Sequence, residues 1–353
     1  MNVTKEKNAY LKGSLINMEV SSNSAVYHQE YLSNEKVISN KGLKNEFSTT
    51  EFYSYGAEFD ASVSLALYAK NIGIANMLSF FDPHSTVLDV LGGSGQIRRA
   101  YDQYISQSNV PLNIITGDIE PDMINRALDF GIDAMVLDAC NLYEIEDDCY
   151  EGAILAYGFH HIPTVSRLSA IAEAIRITKR GGKVLIHDGI KGSSTDKTTK
   201  VTVDKYGKCP HVYDHPTRKE LKKYLSSLKC QSYTEYDIFD PQVFLCNSSE
   251  EALKLFTTYY IQHYGLPTYF PQNLLTSEVG AVFSNHKWAF DEIGSLHLGS
   301  AWVQGKPYAY QPYLGKVDDD LLMRMRVSKD RDLSHLEHAM VVPRYAKLFV
   351  VEV

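Results

Sequence analysis

Between Thr86 and Asp138 the chain repeats one pattern, in which an apolar strand ends on a special residue and leads into a helix. The first strand, TVLDV, runs into the glycine turn 91–95, and the second, LNIITGD, ends on Asp118. A third strand, AMVLD, ends on Asp138. Open parallel sheets bind ligands at the carboxyl ends of their strands, where glycines admit a bulky ligand and a carboxylate can bind a ribose diol. The pattern therefore predicts an α/β sheet with an adenosine-cofactor site.

The glycine turn lacks two common phosphate-binding motifs. A dinucleotide fingerprint needs a third glycine, but Gly93 and Gly95 are followed by Gln-Ile-Arg. A Walker loop needs Gly-Lys-Ser/Thr, which does not occur in the sequence. The remaining motif, Asp-Val-Leu-Gly-Gly-Ser-Gly, resembles the first motif of the class I S-adenosylmethionine-dependent methyltransferases. That resemblance implies a doubly wound, Rossmann-like sheet of seven strands, the last of them antiparallel.

Four further segments are similar to motifs of the same family, in order and at suitable spacing: 117–123, 138–139, 157–162 and 176–186. By this resemblance Asp118 binds both ribose hydroxyls, Ile119 packs on the adenine, and Asp138 with Ala139 recognises the adenine amino edge. The implied cofactor is S-adenosyl-L-methionine. The full predicted cofactor-binding set is Asp89, Gly92, Gly93, Gly95, Asp118, Ile119, Met123, Asp138, Ala139 and Tyr157.

Leu91 stands where the family usually has a glycine. The interpretation we prefer is that Gly92 and Gly93 supply the bend, since adjacent glycines give the same backbone freedom. The alternative is a bent methionine tail, as in an enzyme that cyclises S-adenosylmethionine to azetidine-2-carboxylate and methylthioadenosine.

The loop after the fourth strand carries the candidate catalytic residues. His161 and His160 are candidate general bases, and only one is expected to face the site because neighbouring residues after a strand point in opposite directions. A structural role for both is equally open. Tyr157 is a third candidate, although we expect it to contact the methionine part through its backbone. Tyr53 and Tyr55 are candidate lid residues that could stabilise a sulfonium by cation–π attraction, with core packing as the alternative.

The composition and charge of the chain limit the classes of molecule that it is expected to bind. A net charge of −8 argues against a nucleic acid substrate, which usually requires a basic surface, so a small molecule fits better. No window approaches the ~18 apolar residues of a membrane span, and the N-terminus lacks the apolar stretch of a secretory signal. Five cysteines without a Cys-x-x-Cys pair indicate reduced thiols and a cytoplasmic protein. A homodimer is compatible with the sequence.

No metal site is predicted from the sequence. His335 and His338 lie three residues apart with Glu337 between them, but no third ligand is evident. A solvent-facing helix explains this segment better.

The predicted organisation has four parts: an N-terminal helical cap or lid at 1–85, a cofactor-binding core at 86–240, an insertion forming a substrate cap at 241–340, and a terminal strand at 341–353. Within the core, Thr164 is expected to cap a helix that Gly181 and Gly182 end, and residues 189–210 to form a loop. Thr217 and Glu220 form a predicted capping box, and Pro121 is expected at the first position of a helix.

These features favour a methyltransferase acting on a small molecule in specialised metabolism. The cyclase described above is the main alternative. A non-catalytic protein that kept the fold and, more remotely, an NAD-dependent dehydrogenase are the other hypotheses.

Overall fold

The computed structural model describes residues 70, 72–105, 111–207, 210–266, 296–298, 305–309, 312–325 and 336–353. All of them belong to one compact unit, Lys44–Val353. The predicted lid residues Tyr53 and Tyr55, and most of the predicted N-terminal cap, lie outside the described residues. Residues 72–78, at the end of that cap, are helical, as predicted.

The described strands and helices are numbered here in chain order. The strands are β1 (Thr86–Asp89), β2 (Asn113–Asp118), β3 (Ala134–Val136), β4 (Tyr150–Ala156), β5 (Thr178–Asp188), β6 (Ser232–Phe239), β7 (Gln242–Cys246), β8 (Leu296–Leu298), β9 (Tyr313–Lys316), β10 (His338–Val342) and β11 (Tyr345–Glu352). The helices are α1 (Gln96–Ala100), α2 (Pro121–Asp129), α3 (Arg167–Ile177), α4 (Ser194–Val201), α5 (Val203–Tyr206), α6 (Arg218–Ser227), α7 (Ser249–Tyr264) and α8 (Asp319–Arg324).

Eight strands form the main sheet, in the order β3-β2-β1-β4-β5-β11-β6-β8. Strands β1 to β5 run parallel, and β11 lies antiparallel between β5 and β6. The predicted Rossmann-like sheet with its antiparallel last strand is therefore confirmed. It carries one more strand than expected, the short β8, which pairs parallel to β6 at the edge.

Apolar cores cover both faces of this sheet. One face packs against residues 72–78, α1 and α2, and includes Met77, Ile97 and Met123. The other packs against α3 and α6, and includes Ile171 and Leu221. Because both faces are buried, the carboxyl edge of the parallel strands is where a ligand can reach the sheet.

Helix α3 and strand β5 meet at a different point from the predicted one. The helix begins at Arg167, with Ser166 rather than Thr164 at the N-cap position, and it ends at Ile177. Strand β5 follows at once and includes Gly181 and Gly182. A Cβ atom on Gly182 would lie 2.5 Å from the Glu151 carbonyl oxygen, so this glycine permits close strand contact instead of ending a helix.

The loop predicted over 189–210 is wrong, because α4 and α5 occupy most of it. Its many threonines are poor helix formers, which made the segment resemble a loop. Burial of Thr198, Thr202 and Val203 and an N-cap from Ser193, whose Oγ accepts a hydrogen bond from the Asp196 amide at 3.2 Å, stabilise the helices instead.

The capping box is confirmed at the start of α6. The Thr217 hydroxyl accepts a hydrogen bond from the Glu220 amide at 3.0 Å, and the Glu220 carboxylate accepts one from the Thr217 amide. Pro121 begins α2, also as predicted.

The single strand predicted over 341–353 is in fact two strands in different sheets. Strand β10 ends at Val342 and pairs with β7 and β9 in a three-stranded antiparallel sheet, whereas β11 begins at Tyr345 in the main sheet. Pro343 between them has no amide hydrogen and cannot continue a ladder. The helix predicted over 335–338 is also wrong for the residues that the structure describes, 336–338, because His338 begins strand β10.

Between β6 and β11 the chain thus builds a small sheet with an apolar core of its own. None of the described helices has the length and apolar character that crossing a membrane requires. The described cysteines, Cys140, Cys149, Cys230 and Cys246, are free thiols.

Candidate active site

The glycine turn after β1 bends at glycines. Gly93 and Gly95 adopt φ values of 55° and 78°, in the left-handed region that side chains disfavour. A Cβ atom on Gly92 would lie 2.7 Å from Thr116 Cγ2, so this position also requires glycine. Leu91 is half-buried and packs with the α3-side core. These contacts agree with the preferred interpretation, in which Gly92 and Gly93 supply the bend.

Asp89 ends β1 as a fully buried carboxylate. Neither of its oxygens has an aligned hydrogen-bond partner among the described residues. Burial raises the pKa of Asp89 to about 8, against the opposing effect of the Leu91 amide, and the charge of Asp118 raises it further. A buried carboxylate without partners is costly, which indicates that another group is meant to meet it.

Asp118 ends β2 and joins this strand to the glycine turn. Its Oδ2 accepts a hydrogen bond from the Gly93 amide at 2.9 Å, and its Oδ1 accepts one from the Glu120 amide at 3.0 Å. Burial raises the pKa of Asp118 to about 6 even though these amides lower it. The two amides orient the carboxylate at the sheet edge.

The rest of the predicted cofactor-binding set follows β2 and β3. Asp138 Oδ1 accepts a hydrogen bond from the Cys140 amide at 2.8 Å, which holds the carboxylate in the turn after β3. Ile119 is half-buried and Ala139 is buried. The side chain of Met123, in α2, packs in the apolar core and therefore stabilises the fold. Their contacts with a cofactor remain a prediction.

Tyr157 follows β4 with a φ of 58°, which is rare for a residue with a side chain. Its hydroxyl lies 3.4 Å from Asp240 Oδ1, and its ring packs edge-on against His187. Burial, and next the charge of Asp240, raise the pKa of Tyr157 well above its ordinary value. Tyr157 is therefore protonated at neutral pH and is better suited to positioning than to proton transfer.

Asp240 directly follows β6 and pairs with Arg344, which directly precedes β11; both side chains are largely buried. Arg344 donates through Nη2 to Asp240 Oδ2 at 2.5 Å and through Nε to the Asp240 carbonyl oxygen at 3.1 Å. Lys70 lies with its Nζ 5.2 Å from the centre of the Tyr157 ring. Burial, then repulsion from Arg344, lowers the pKa of Lys70 to about 7. A Cβ atom on Gly73 would lie 1.9 Å from Asp240 Oδ1, so the helix at 72–78 packs directly against Asp240.

His160 lies in the short 3₁₀ turn Phe159–His161 and pairs with Asp188, the last residue of β5. Its Nδ1 lies 2.9 Å from Asp188 Oδ2, and its amide donates to the same oxygen at 2.8 Å. The Gly189 amide donates to Asp188 Oδ1 at 2.7 Å. Burial lowers the pKa of His160 to about 3, more than Asp188 raises it. Burial acts to raise the Asp188 pKa, but His160 and its hydrogen bonds hold it below the usual range. The pair is therefore neutral imidazole with ionised carboxylate at neutral pH.

The expectation that only one of the adjacent histidines faces the site is wrong. Their ring centres lie 4.1 Å apart, because the backbone turns there instead of extending. His211 and His215 join them, with ring centres 5.0 and 4.5 Å from that of His160. We call these four residues, His160, His161, His211 and His215, the histidine cluster.

The sequence did not predict the aspartates that contact the histidine rings of this cluster. Asp204 Oδ1 lies 2.8 Å from His211 Nδ1, and Asp196 Oδ1 lies 3.1 Å from His215 Nδ1. Both aspartates stand on α4 and α5, the segment predicted to be a loop. The only signal in the sequence was His-x-x-x-His at 211–215, which is too common to identify a site without the fold.

Arg167 fastens the two parts of the cluster together. This almost fully buried side chain donates to the carbonyl oxygens of His160 at 3.1 Å, Asp214 at 2.6 Å and Ile162 at 3.0 Å. It also contacts Glu220 at 3.3 Å. One residue thus joins the turn after β4 to the segment 211–215.

Residues 88–186 match the methyltransferase domain family. They form a methyltransferase domain. This match confirms the predicted family, and with it S-adenosyl-L-methionine as the cofactor. No curated protein matches the chain in sequence.

Several solved structures are similar to this chain at low sequence identity. The YcgJ protein from Bacillus subtilis is 15% identical, with a TM-score of 0.43 over 80% of this chain and 97% of that one. A methyltransferase from Thermotoga maritima, described as a possible histamine N-methyltransferase, is 13% identical, with a TM-score of 0.43 over 57% and 86%. A Haemonchus contortus phosphoethanolamine N-methyltransferase 2, in complex with phosphomonomethylethanolamine and S-adenosylhomocysteine, is 15% identical, with a TM-score of 0.42 over 80% and 52%. Similarity at this level carries no argument about the substrate.

The residues of the methyltransferase domain fit this cofactor. At Gly92 and Gly95 an added Cβ atom would lie 2.7 Å from Thr116 Cγ2 and 2.6 Å from Ile132 Cδ1, so the backbone of the turn packs closely against β2 and its neighbours. Asp118 and Asp138 stand at the carboxyl ends of adjacent strands, and the unpartnered Asp89 carboxylate lies behind the turn. We expect Asp118 to hold the ribose and Asp138 the adenine.

Proposed function

We propose that the protein transfers the methyl group of S-adenosylmethionine to a small molecule in specialised metabolism. One observation carries this proposal. The glycine turn and the histidine-bearing turn touch, because a Cβ atom on Gly158 would lie 3.4 Å from Leu91 Cβ. The methyl group of a cofactor bound along the glycine turn would thus be close to the neutral imidazole of His160.

Bound S-adenosylmethionine supplies an electrophilic methyl group, and transfer breaks its carbon–sulfur bond, leaving S-adenosylhomocysteine and one proton lost from the acceptor. The protein's main contribution is alignment, which can supply about 7–11 kcal/mol of the barrier. Asp118 and Asp138 would fix the nucleoside. His160, held through Nδ1 by Asp188, would present Nε2 to orient the acceptor, since its lowered pKa makes it a weak base. His161 remains the second candidate for this role.

The second sheet supports a closed, small acceptor pocket. Asp240 and Arg344 stand where the chain leaves and re-enters the main sheet, and the Tyr157 hydroxyl contacts Asp240. The segment 241–340 is therefore joined at both ends to the loop after β4. We propose that this segment and the N-terminal residues, including Tyr53 and Tyr55, enclose the acceptor. The net charge of −8 fits a small molecule better than a nucleic acid.

Product analysis tests the proposal. The purified protein is incubated with S-adenosylmethionine alone, and with panels of phenols, amines and hydroxy acids. S-adenosylhomocysteine that forms only with an acceptor supports methyl transfer. Methylthioadenosine that forms without any acceptor would replace the proposal with the cyclase. A thermal shift with S-adenosylmethionine and none with NAD checks the cofactor independently.

A further inference from the structure

The histidine cluster brings four imidazole rings together beside the turn that follows β4. Ring nitrogens of His160, His161 and His211 lie within 4.8 Å of one another. His161 and His211 are half-buried and His160 is buried, so the group is sheltered yet reachable. A polar cavity of about 230 Å³ opens beside it and is lined by His211 and His215.

Carboxylates hold the rings of the cluster by one nitrogen. Nδ1 of His160, His211 and His215 lies within 3.1 Å of Asp188, Asp204 and Asp196 respectively. With the proton of a neutral ring on Nδ1, Nε2 keeps its lone pair. This carboxylate–histidine arrangement is the support that metal-ligating histidines almost always have. Two of the three histidines proposed below as ligands, His160 and His211, have this support, which is more than a single catalytic dyad needs.

A second set of nearby groups, His160 with Asp188 and His215, is less suitable for holding an ion. The Asp188 oxygens already accept hydrogen bonds from the His160 ring, the His160 amide and the Gly189 amide. Asp188 is therefore a support, and the three-histidine set is the better ligand set.

We propose that His160, His161 and His211 bind a divalent transition-metal ion, such as Zn²⁺. Neutral imidazoles suit Zn²⁺, Cu²⁺, Ni²⁺ and Fe²⁺, whereas Mg²⁺ and Ca²⁺ prefer oxygen ligands. Three histidines with an open fourth position are a known arrangement of catalytic zinc. Because Zn–N bonds are about 2.0–2.1 Å long, the rings must close by roughly an ångström, which side-chain rotation can supply.

The consequence for the acceptor rests on the proposed function. An ion held by three histidines would leave a fourth position open, which favours an acceptor with a hydroxyl oxygen. His160 would then be a ligand, and orientation of the acceptor would pass from its Nε2 to the ion.

Metal binding by the full-length protein tests the inference without any acceptor. Protein stripped with a chelator and desalted is titrated with Zn²⁺ by calorimetry, and Co²⁺ binding is followed by visible absorption. We expect equimolar Zn²⁺ binding and no comparable binding of Mg²⁺. His211→Gln should weaken Zn²⁺ binding more than about 100-fold, and Asp204→Asn, which removes only a support, by about 10–100-fold.

Two exposed residues outside the cluster provide matched controls. His84→Asn and Asp147→Asn should leave Zn²⁺ affinity unchanged. S-adenosylmethionine affinity, measured on the same preparations, reports that each variant is folded; if His211→Gln fails this check, His161→Gln replaces it. Absence of equimolar binding in the wild type, or equal losses in His211→Gln and His84→Asn, would overturn the inference. Intact S-adenosylmethionine binding with no metal binding would overturn it while leaving the proposed function in place.

Discussion

The two halves of the candidate active site are built differently. The cofactor half consists of Asp89, Asp118 and Asp138, each at the end of its own strand and all within about fifty residues of one another. The histidine half comes from the turn after β4, the end of β5, helices α4 and α5, and the segment 211–215. Backbone amides orient Asp118 and Asp138 in the first half, whereas Arg167 and aspartates from other elements orient the second.

This difference suggests a division of labour. A half that is assembled locally can bind the cofactor whatever the acceptor is. A half that is assembled from loops can change with the acceptor, as binding loops on rigid scaffolds commonly do. Substitutions in the first half should alter S-adenosylmethionine affinity, and substitutions in the second should alter turnover.

The largest effect is expected from Asp118→Ala. Losing two hydrogen bonds from the ribose hydroxyls to a charged group should weaken S-adenosylmethionine binding at least about 100-fold. Calorimetry measures this affinity. Asp122→Ala, on the exposed first turn of α2, is the control and should bind normally. Unchanged affinity in Asp118→Ala would break the assignment of the cofactor half.

Asp188→Asn tests the histidine half. The amide can hold His160 in the wrong tautomer, so kcat should fall by about 10–100-fold, the range typical of removing a histidine's orienting partner. The KM for S-adenosylmethionine should stay the same, which a general loss of structure would not allow. Asp147→Asn, at an exposed ion pair with Arg176, serves as the control. If Asp188→Asn changes cofactor affinity as much as turnover, the two halves are not separate.

Acid should weaken cofactor binding through Asp118. Its pKa is raised to about 6 in the cofactor-free protein, so the carboxylate becomes protonated as the pH falls through that value and loses its ability to accept both ribose hydrogen bonds. Between pH 7 and pH 5 the affinity should fall by about tenfold, as protonation at one site requires. In Asp118→Asn the affinity should be lower and nearly flat over this range. A wild-type affinity that is equally flat would exclude Asp118 as the titrating group.

The cofactor half could be predicted from sequence because each of its residues lies next to a strand that the sequence marks clearly. Hydrophobic runs such as TVLDV locate the strands, and parallel pairing then places Asp89, Asp118 and Asp138 at one edge. The histidine half could not be predicted in this way. His160 and His211 are separated by some fifty residues. Their proximity depends on the contacts of Arg167 and on helices α4 and α5, whose threonine-rich sequence resembles a loop.

The same distinction applies to the fold. Elements with local signals, such as the Thr217 capping box and the Pro121 start, appear where predicted. Elements whose limits depend on contacts with distant residues do not appear where predicted. Strand β5 extends back to Thr178 because Tyr150 pairs with it, and Pro343 separates β10 from β11 because two different sheets receive them.

Asp89→Asn tests the cofactor half through stability rather than through affinity or turnover. The Asp89 pKa is about 8 in the folded protein, against a model-compound value of 3.8. The unfolded chain therefore ionises first, and the folded state loses stability as the pH rises from about 4 to 8. Asparagine does not ionise, so the cofactor-free variant should be more stable at pH 7, by up to about 4 kcal/mol at about 1.4 kcal/mol per pKa unit, and should gain little at pH 4.

Saturating S-adenosylmethionine should reduce the gain in Tm from Asp89→Asn if the cofactor supplies the partners that the Asp89 oxygens lack. A gain that is the same with and without cofactor would show that Asp89 does not contact it. Asp89 would then be a structural residue, and the cofactor half would consist of Asp118 and Asp138 with the glycine turn. A gain that also persists at pH 4 would mean that packing, and not ionisation, causes it.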